Sequence, residues 1–239
     1  MSVDARYTDE DHDFRKDDTY ARTKYEITID WLGPARPGNE VLYHVGCGVG
    51  IFNRMAAEAG YTVEAFEPDP RAFEVAARDA AGHACRVHLS GLEAIEGEAV
   101  ADVLVMHDVL EHIEDEAGAV ACLHRLLKPG GRLILSVPAL QSLFGYHDRQ
   151  LGHYRRYKKR TLRAALENAF TIQRLRYFGM SFIPVTLLFS RILQRPYPTS
   201  AAGEEQSLLS STFDRLCAAE ARVAMPIGTS LLCDATARR

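Results

Sequence analysis

The sequence predicts an α/β protein, a doubly wound and mainly parallel sheet, and three observations predict it. Apolar runs alternate with helix-like stretches from Val41 to Val137, the pattern of a parallel sheet with helices on both faces. The first run, Val41, Leu42, Tyr43 and Val45, breaks into Gly46-Cys47-Gly48-Val49-Gly50 before a helix-like stretch, Ile51–Ala59. Glycines at alternate positions let the backbone turn sharply and set its N–H groups against a ligand, beside the positive end of the next helix. The third observation is length: 239 residues suffice for one such domain with a full core and an elaboration.

The elements follow in order. Residues 1–18 carry seven acids and little apolar matter, the composition of a loosely docked arm. In Tyr20–Leu32, Tyr25, Ile29 and Leu32 share a helical face, and Gly33-Pro34 stops the helix. Beyond the glycine turn come a strand at Tyr61–Phe66 and a helix at Pro70–Arg78 capped by Asp69. Strands at Arg86–Leu89 and Ala101–Met106 follow, then an amphipathic helix, Ala117–Leu127, ended by Lys128-Pro129-Gly130-Gly131. Arg132–Val137 is the next strand. Past Ala139 a polar, basic stretch leads to a helix at Lys159–Ala169 and a strand at Thr171–Phe178. Met180–Leu193 is strongly apolar and reads either as a buried helix over the sheet edge or as a lid or dimer surface. Pro196–Ser210 reads as a loop, Phe213–Ala224 as a helix and Gly228–Ala237 as a closing strand. The whole is one domain. Residues 1–39 form an arm and helical cover, 40–178 the core, 179–226 a helical elaboration and 227–239 the closing strand.

Composition narrows the function classes. A formal net charge of -4 gives no global case for nucleic acid binding. Five scattered cysteines with no CxxC pair suit reduced thiols in a cytoplasm and argue against a zinc site or a disulfide framework, and no metal is expected. The N-terminus is unlike a signal peptide, and Phe178–Leu193 is too short to span a bilayer. A cytoplasmic monomer or homodimer is the expectation.

Glycine spacing separates ligand classes. A dinucleotide fingerprint places its third glycine three residues after the second, and Ile51 stands there. Gly46, Gly48 and Gly50 instead resemble the first motif of class I S-adenosylmethionine (SAM) methyltransferases. The run DVLEHIED at Asp108–Asp115 and RLLKPGGRLILSVP at Arg125–Pro138 resemble the fourth and fifth motifs of that family's small-molecule and ubiquinone-type members, with their Leu-Glu-His signature. The resemblance implies a seven-stranded, Rossmann-like sheet whose last strand, Ser230–Ala235, runs antiparallel. It also implies SAM as cofactor, S-adenosylhomocysteine as product, and a small-molecule acceptor methylated on oxygen or nitrogen. Similar His-Asp and Gly-His-x-Arg-Arg-Tyr elements, here in Ser136–Tyr157, occur in a bacterial subgroup tied to glycan, lipid or secondary-metabolite pathways.

The cofactor candidates are His44, Gly46, Cys47, Gly48, Gly50, Glu67, Pro68, Ser90, Gly91, Leu92, His107 and Asp108. Glu67, 21 positions after Gly46 at the end of the second strand, either accepts both ribose hydroxyls or caps the next helix. Ser90-Gly91-Leu92 would flank an adenine, with Leu92 packed on the ring. His44 departs from the family, which usually carries an acid there to hold the cofactor's ammonium; a neutral imidazole accepts a hydrogen bond, whereas a protonated one repels.

Methyl transfer is an in-line displacement that needs alignment, and a base only if the acceptor loses a proton. His112, His147 and His153, with Asp148, are the candidates for that work, each set against a purely structural role. Tyr154, Arg155, Arg156 and Tyr157 are the acceptor-binding candidates. Seven basic residues and no acid lie between Arg149 and Arg163. Lys158, Lys159 and Arg163 read as a solvated face, and Arg155 or Arg156 as a dock for an anionic acceptor. A protein that keeps the fold and binds SAM or a partner without catalysis is the alternative.

Overall fold

The computed structural model describes residues 18–195 and 208–238, so the acidic arm before Asp18 and most of the expected 196–210 loop lie outside it. Seven strands form one sheet: β1 (Val41–Val45), β2 (Thr62–Glu67), β3 (Cys85–Leu89), β4 (Ala101–His107), β5 (Leu127–Pro138), β6 (Phe170–Phe178) and β7 (Ser230–Ala237). Their order is β3-β2-β1-β4-β5-β7-β6. The first five are mutually parallel, and β7 is antiparallel to both β5 and β6. The order turns back between β1 and β4, the switch point at whose strand ends ligands of such sheets bind.

The helices are α1 (Thr19–Leu32), α2 (Ile51–Glu58), α3 (Pro70–Asp79), α4 (Glu116–Leu126), α5 (Tyr146–Leu151), α6 (Lys159–Leu166), α7 (Ile183–Thr186) and α8 (Leu208–Arg222). Their ends follow local chemistry. Asp18 accepts from Ala21 N–H at the start of α1, and Gly33, at φ 70°, turns the chain back at its end. Asp69 takes the N–H groups of Arg71 and Ala72 at the start of α3, with Pro70 in the first turn. Asp115 caps α4.

Two cores sandwich the sheet. Leu42, Val63, Ala65, Val103, Val105 and Ile134 pack against Leu32 of α1, Phe52 and Ala56 of α2 and Ala76 of α3. On the other face Leu104, Met106, Leu133, Leu135 and Val137 meet Leu123 and Leu126 of α4 and Leu162 and Leu166 of α6. Burying each of the Val, Leu, Ile, Met and Phe side chains stabilises the fold by about 1.5–3 kcal/mol.

Four expectations need correction. β5 begins at Leu127, not Arg132: Lys128-Pro129-Gly130-Gly131 is absorbed as an irregularity in the pairing with β4. Residues 146–151, without an apolar period, make the short helix α5. Leu208–Ser210, expected as loop, opens α8. The 180–193 stretch is not a buried helix. It winds through a 3₁₀ turn, α7 and a π-helical turn, Leu187–Leu193, exposing Val185, Leu187, Leu188, Ile192 and Leu193 while Thr186 and Ser190 are buried. Gly145 explains the contact, because a Cβ there would lie 2.3 Å from the Ser190 carbonyl oxygen. Among the described residues no helix is long and apolar enough to cross a membrane.

Candidate functional site

The glycine turn is held from below and open above. Gly46 and Cys47 N–H both donate to the Phe66 carbonyl, at 2.8 and 3.1 Å. Gly46, Gly48 and Gly50 have φ of 69°, 55° and 89°, a region costly to other residues. A Cβ on Gly46 would strike Val109 at 2.3 Å, whereas one on Gly48 would meet no atom within 4 Å. Glu67, from the end of β2, joins turn and helix: Gly48 N–H donates to its Oε2 at 2.7 Å and Asp69 N–H to its Oε1 at 3.0 Å. The cap of α3 itself is Asp69. Burial, with Glu67 nearby, pushes the Cys47 thiol up to about 12. Pro68 carries the chain from Glu67 to that cap. Ser90 N–H donates to the Glu67 carbonyl at 3.1 Å, and Gly91 opens a 3₁₀ turn, Leu92–Ala94. Leu92 is packed in the core with Phe66 and Leu110.

Beneath the turn a buried polar chain crosses from α2 to α1. His44 Nδ1 lies 2.6 Å from Asn53 Oδ1, and its Nε2 lies 3.4 Å from His107 Nδ1. His107 Nε2 in turn lies 2.9 Å from Thr28 Oγ1. Burial, opposed only by the Asn53 bond, lowers His44 to about 4. Burial first, then His44 and Lys24, lowers His107 as well. Position 44 is therefore a neutral imidazole at neutral pH. Asp108, at φ 53°, pairs with the buried Lys24 ammonium and accepts from Ser136 Oγ at 3.1 Å. Lys24 and Ser136 outweigh the effect of burial and hold its carboxyl below the usual range.

This chain makes the fold acid-sensitive. A histidine held neutral in the fold takes up its proton when the chain unfolds, so stability falls as pH drops from about 6.5 towards the folded value. For His44 the expected loss is about 2 kcal/mol between pH 7 and pH 5, and His107 adds to it in the same direction. Urea unfolding at the two pH values measures this. His44→Gln, whose amide can still donate to Asn53, should shrink the difference; an undiminished difference would remove His44 as its source.

A second cluster forms where the turn after β4 meets α5 and the chain beyond it. His153 Nδ1 lies 2.9 Å from Asp148 Oδ1, and Arg156 Nε donates to the same oxygen at 2.6 Å. Gly145 N–H donates to Asp148 Oδ2 at 2.9 Å. Burial would raise the Asp148 carboxyl, but His153 and Arg156 bring it down to about 2. The ionised Asp148 accepts from His153 Nδ1, the arrangement of a ring held by an orienting carboxylate, and His153 Nε2 lies 4.0 Å from Glu111 Oε1. His112 meets the His153 ring edge-on, centroids 4.6 Å apart. The backbone N–H of His147 donates to Ser190 Oγ at 3.2 Å.

The acceptor-binding candidates are dispersed. The Arg156 guanidinium is committed to Asp148 and the Ala139 carbonyl. Tyr157 is in the core, its hydroxyl donating to Glu116 Oε1 at 2.6 Å. Arg155 donates to the Glu114 carbonyl at 2.7 Å and faces Glu116. Tyr154 is half exposed. Lys24, Thr28, Asn53, Glu111 and Ser136 escaped the sequence reading. Only Glu111 carried a signal, inside the Leu-Glu-His run. The others act through contacts between distant segments.

A family model described as a methyltransferase domain matches residues 19–171. The chain belongs to this family, the class I SAM-dependent methyltransferases. Ubiquinone biosynthesis O-methyltransferase of Methylocella silvestris is 40% identical over 89 residues, 36% of this chain and 35% of that protein. Malonyl-[acyl-carrier protein] O-methyltransferase of Serratia marcescens is 33% identical over 113 residues, 47% of this chain and 43% of that protein. The chain thus spans from about a third to about half of the length of the curated relatives it matches. Among solved structures, phosphoethanolamine N-methyltransferase 2 of Haemonchus contortus, in complex with SAM, aligns with a TM-score of 0.67 at 18% identity, covering 98% of this chain and 58% of that one. The Burkholderia thailandensis 1,6-didemethyltoxoflavin-N1-methyltransferase, with that acceptor and S-adenosylhomocysteine bound, gives 0.62 at 18%, covering 96% and 83%. At such identities the likeness is one of fold.

Proposed function

We propose that this chain transfers a methyl group from SAM to the hydroxyl of a small, neutral acceptor, with His153 as the base. The observation that carries the reading is the Asp148–His153 pair, which orients the imidazole through Nδ1 beside the turn after β4. The residues at the glycine turn fit the cofactor. The open side of Gly48 admits a ligand against the backbone, the Glu67 carboxylate bonded to Gly48 N–H supports the ribose reading, and the neutral His44 does not repel an ammonium. Bound there, SAM supplies an activated methyl group on a sulfonium. Acceptor chemistry follows from what is left over. Arg155 and Arg156, which an anionic acceptor would need, are engaged inside the protein, so a hydroxyl that gives its proton to His153 suits the site better than a phosphate or carboxylate. We take residues 1–239 as one catalytic unit.

Calorimetry with SAM and NAD side by side, and S-adenosylhomocysteine release with a panel of phenolic, aliphatic-hydroxyl and amine acceptors, test this. Binding of SAM with no turnover across the panel would favour the non-catalytic alternative. Glu67→Ala should remove charge-assisted contacts worth about 1.5–3 kcal/mol, weakening SAM binding by about one to two orders of magnitude. A change under about threefold would leave Glu67 with its structural role of tying Gly48 to Asp69.

A further inference from the structure

The 3₁₀ turn after β4, Leu110–His112, meets the chain that follows α5. Tyr154 N–H donates to the Glu111 carbonyl at 2.8 Å and ties the two segments together. Three side chains converge beside that bond. Glu111, His112 and His153 each bring one ligand atom within 4.8 Å of the other two. Glu111 Oε1 and His153 Nε2 stand 4.0 Å apart, an ion-pair contact too long for a hydrogen bond. Glu111 is 0% exposed, and among the described residues neither of its carboxyl oxygens accepts a hydrogen bond. The two cations nearby serve other acids, Lys24 with Asp108 and Arg156 with Asp148.

We propose that Glu111, His112 and His153 bind a divalent transition-metal cation of the zinc class. Two imidazoles and one carboxylate are a donor set that zinc accepts, with a further position open to water or substrate. Magnesium and calcium, which prefer oxygen donors, suit it poorly. The scattered cysteines take no part, so their lack of a CxxC pair does not count against this site. Ligand atoms about 2.0–2.2 Å from a tetrahedral zinc stand about 3.3–3.6 Å from one another, so these three need to draw together by only about 1 Å. The surroundings are those of a ligating histidine. Asp148 Oδ1 engages the far nitrogen of His153, Nδ1, at 2.9 Å, and a carboxylate behind the ring fixes the orientation of such a ligand. Asp148 is held in turn by Gly145 N–H and Arg156 Nε. An ion would also set a positive charge in direct contact with the Glu111 carboxylate, which no lysine or arginine among the described residues does. The site stands on this geometry whether or not His153 is the base, and it shares one atom with that role. The Nε2 lone pair either binds the ion or takes the proton of the acceptor, so zinc competes with base catalysis.

The test is zinc calorimetry on the untagged full chain, first stripped with a chelator, beside visible absorption of the cobalt(II) form. Expected are one zinc ion per chain and cobalt d–d bands that fade in H112A. D148N, which removes only the carboxylate behind the ring, should weaken zinc binding by about 10–100-fold. E111Q and H112A, which each remove a ligand, should cost at least as much. His83→Ala, on an exposed histidine outside the cluster, should bind as the unaltered chain does. If E111Q does not fold, H112A carries the comparison. No zinc binding, or binding that E111Q and H112A leave unchanged, overturns the site, and so does tighter binding of magnesium than of zinc. Turnover is read separately. Inhibition as zinc fills the site supports both readings of His153, whereas stimulation by zinc keeps the site and sinks His153 as the base.

Discussion

His153→Ala lowers the rate of methyl transfer by about 10²–10⁴-fold, the usual contribution of a positioned acid or base, and leaves SAM affinity unchanged. The separation follows from geometry. His153 lies with Asp148, Arg156 and Glu111, while the glycine turn and Glu67 form a different set of contacts at the ends of β1 and β2. Asp148→Asn should reproduce most of the loss, because an amide no longer enforces the Nδ1–H form. His147→Ala should not, since the imidazole that Asp148 orients is that of His153. The measurement is S-adenosylhomocysteine release beside calorimetry. Undiminished turnover in His153→Ala would mean that alignment alone drives the reaction, or that His112 is the base.

Gly48→Val abolishes detectable SAM binding, with affinity reduced by at least about 10²-fold. At φ 55° a branched residue is strained by about 1–2 kcal/mol. Its side chain would project into the one side of the turn where no protein atom lies within 4 Å. The Gly48 N–H bond to Glu67 is disturbed at the same time, so the ribose contact proposed for that residue fails with it. Gly130→Val is the control. Gly130 also has positive φ and open space around it, at 78°, but lies at the start of β5. Equal losses of thermal stability with unequal losses of affinity would identify the turn as the cofactor site; unchanged affinity in Gly48→Val would remove it.

The parts of the fold readable in the sequence are those fixed by short-range pattern. β1, β2 and β4 announce themselves because buried parallel strands are apolar almost throughout, and Asp69 and Pro70 mark the start of α3 by capping chemistry alone. The glycine turn was legible for the same reason: its backbone demands act residue by residue. What escaped depends on tertiary neighbours. Pro129-Gly130-Gly131 looks like a turn until pairing with β4 makes it a strand irregularity. Arg156 looks like a ligand-binding cation because nothing local reveals that Asp148, eight positions earlier, is buried beside it. The burial of Ser190 goes with the close approach of Gly145, 45 positions away in the chain, while the apolar side chains around it stay exposed. Lys24 and Thr28 sit on a helix with no motif, and their partners, Asp108 and His107, lie on β4 and the turn after it.

The docking of α1 has a consequence for synthesis of the protein. Its Tyr20 hydroxyl is bonded to Thr229 and Ser230 at the start of β7, at 2.7 and 2.9 Å, and its Ile27 packs with Cys217 of α8 and Leu232 of β7. The first helix among the described residues therefore completes its seat after the last described strand has emerged, roughly 10–40 s later at about 5–20 residues per second. A nascent chain thus carries α1 and the glycine turn long before β7 completes the seat of that helix.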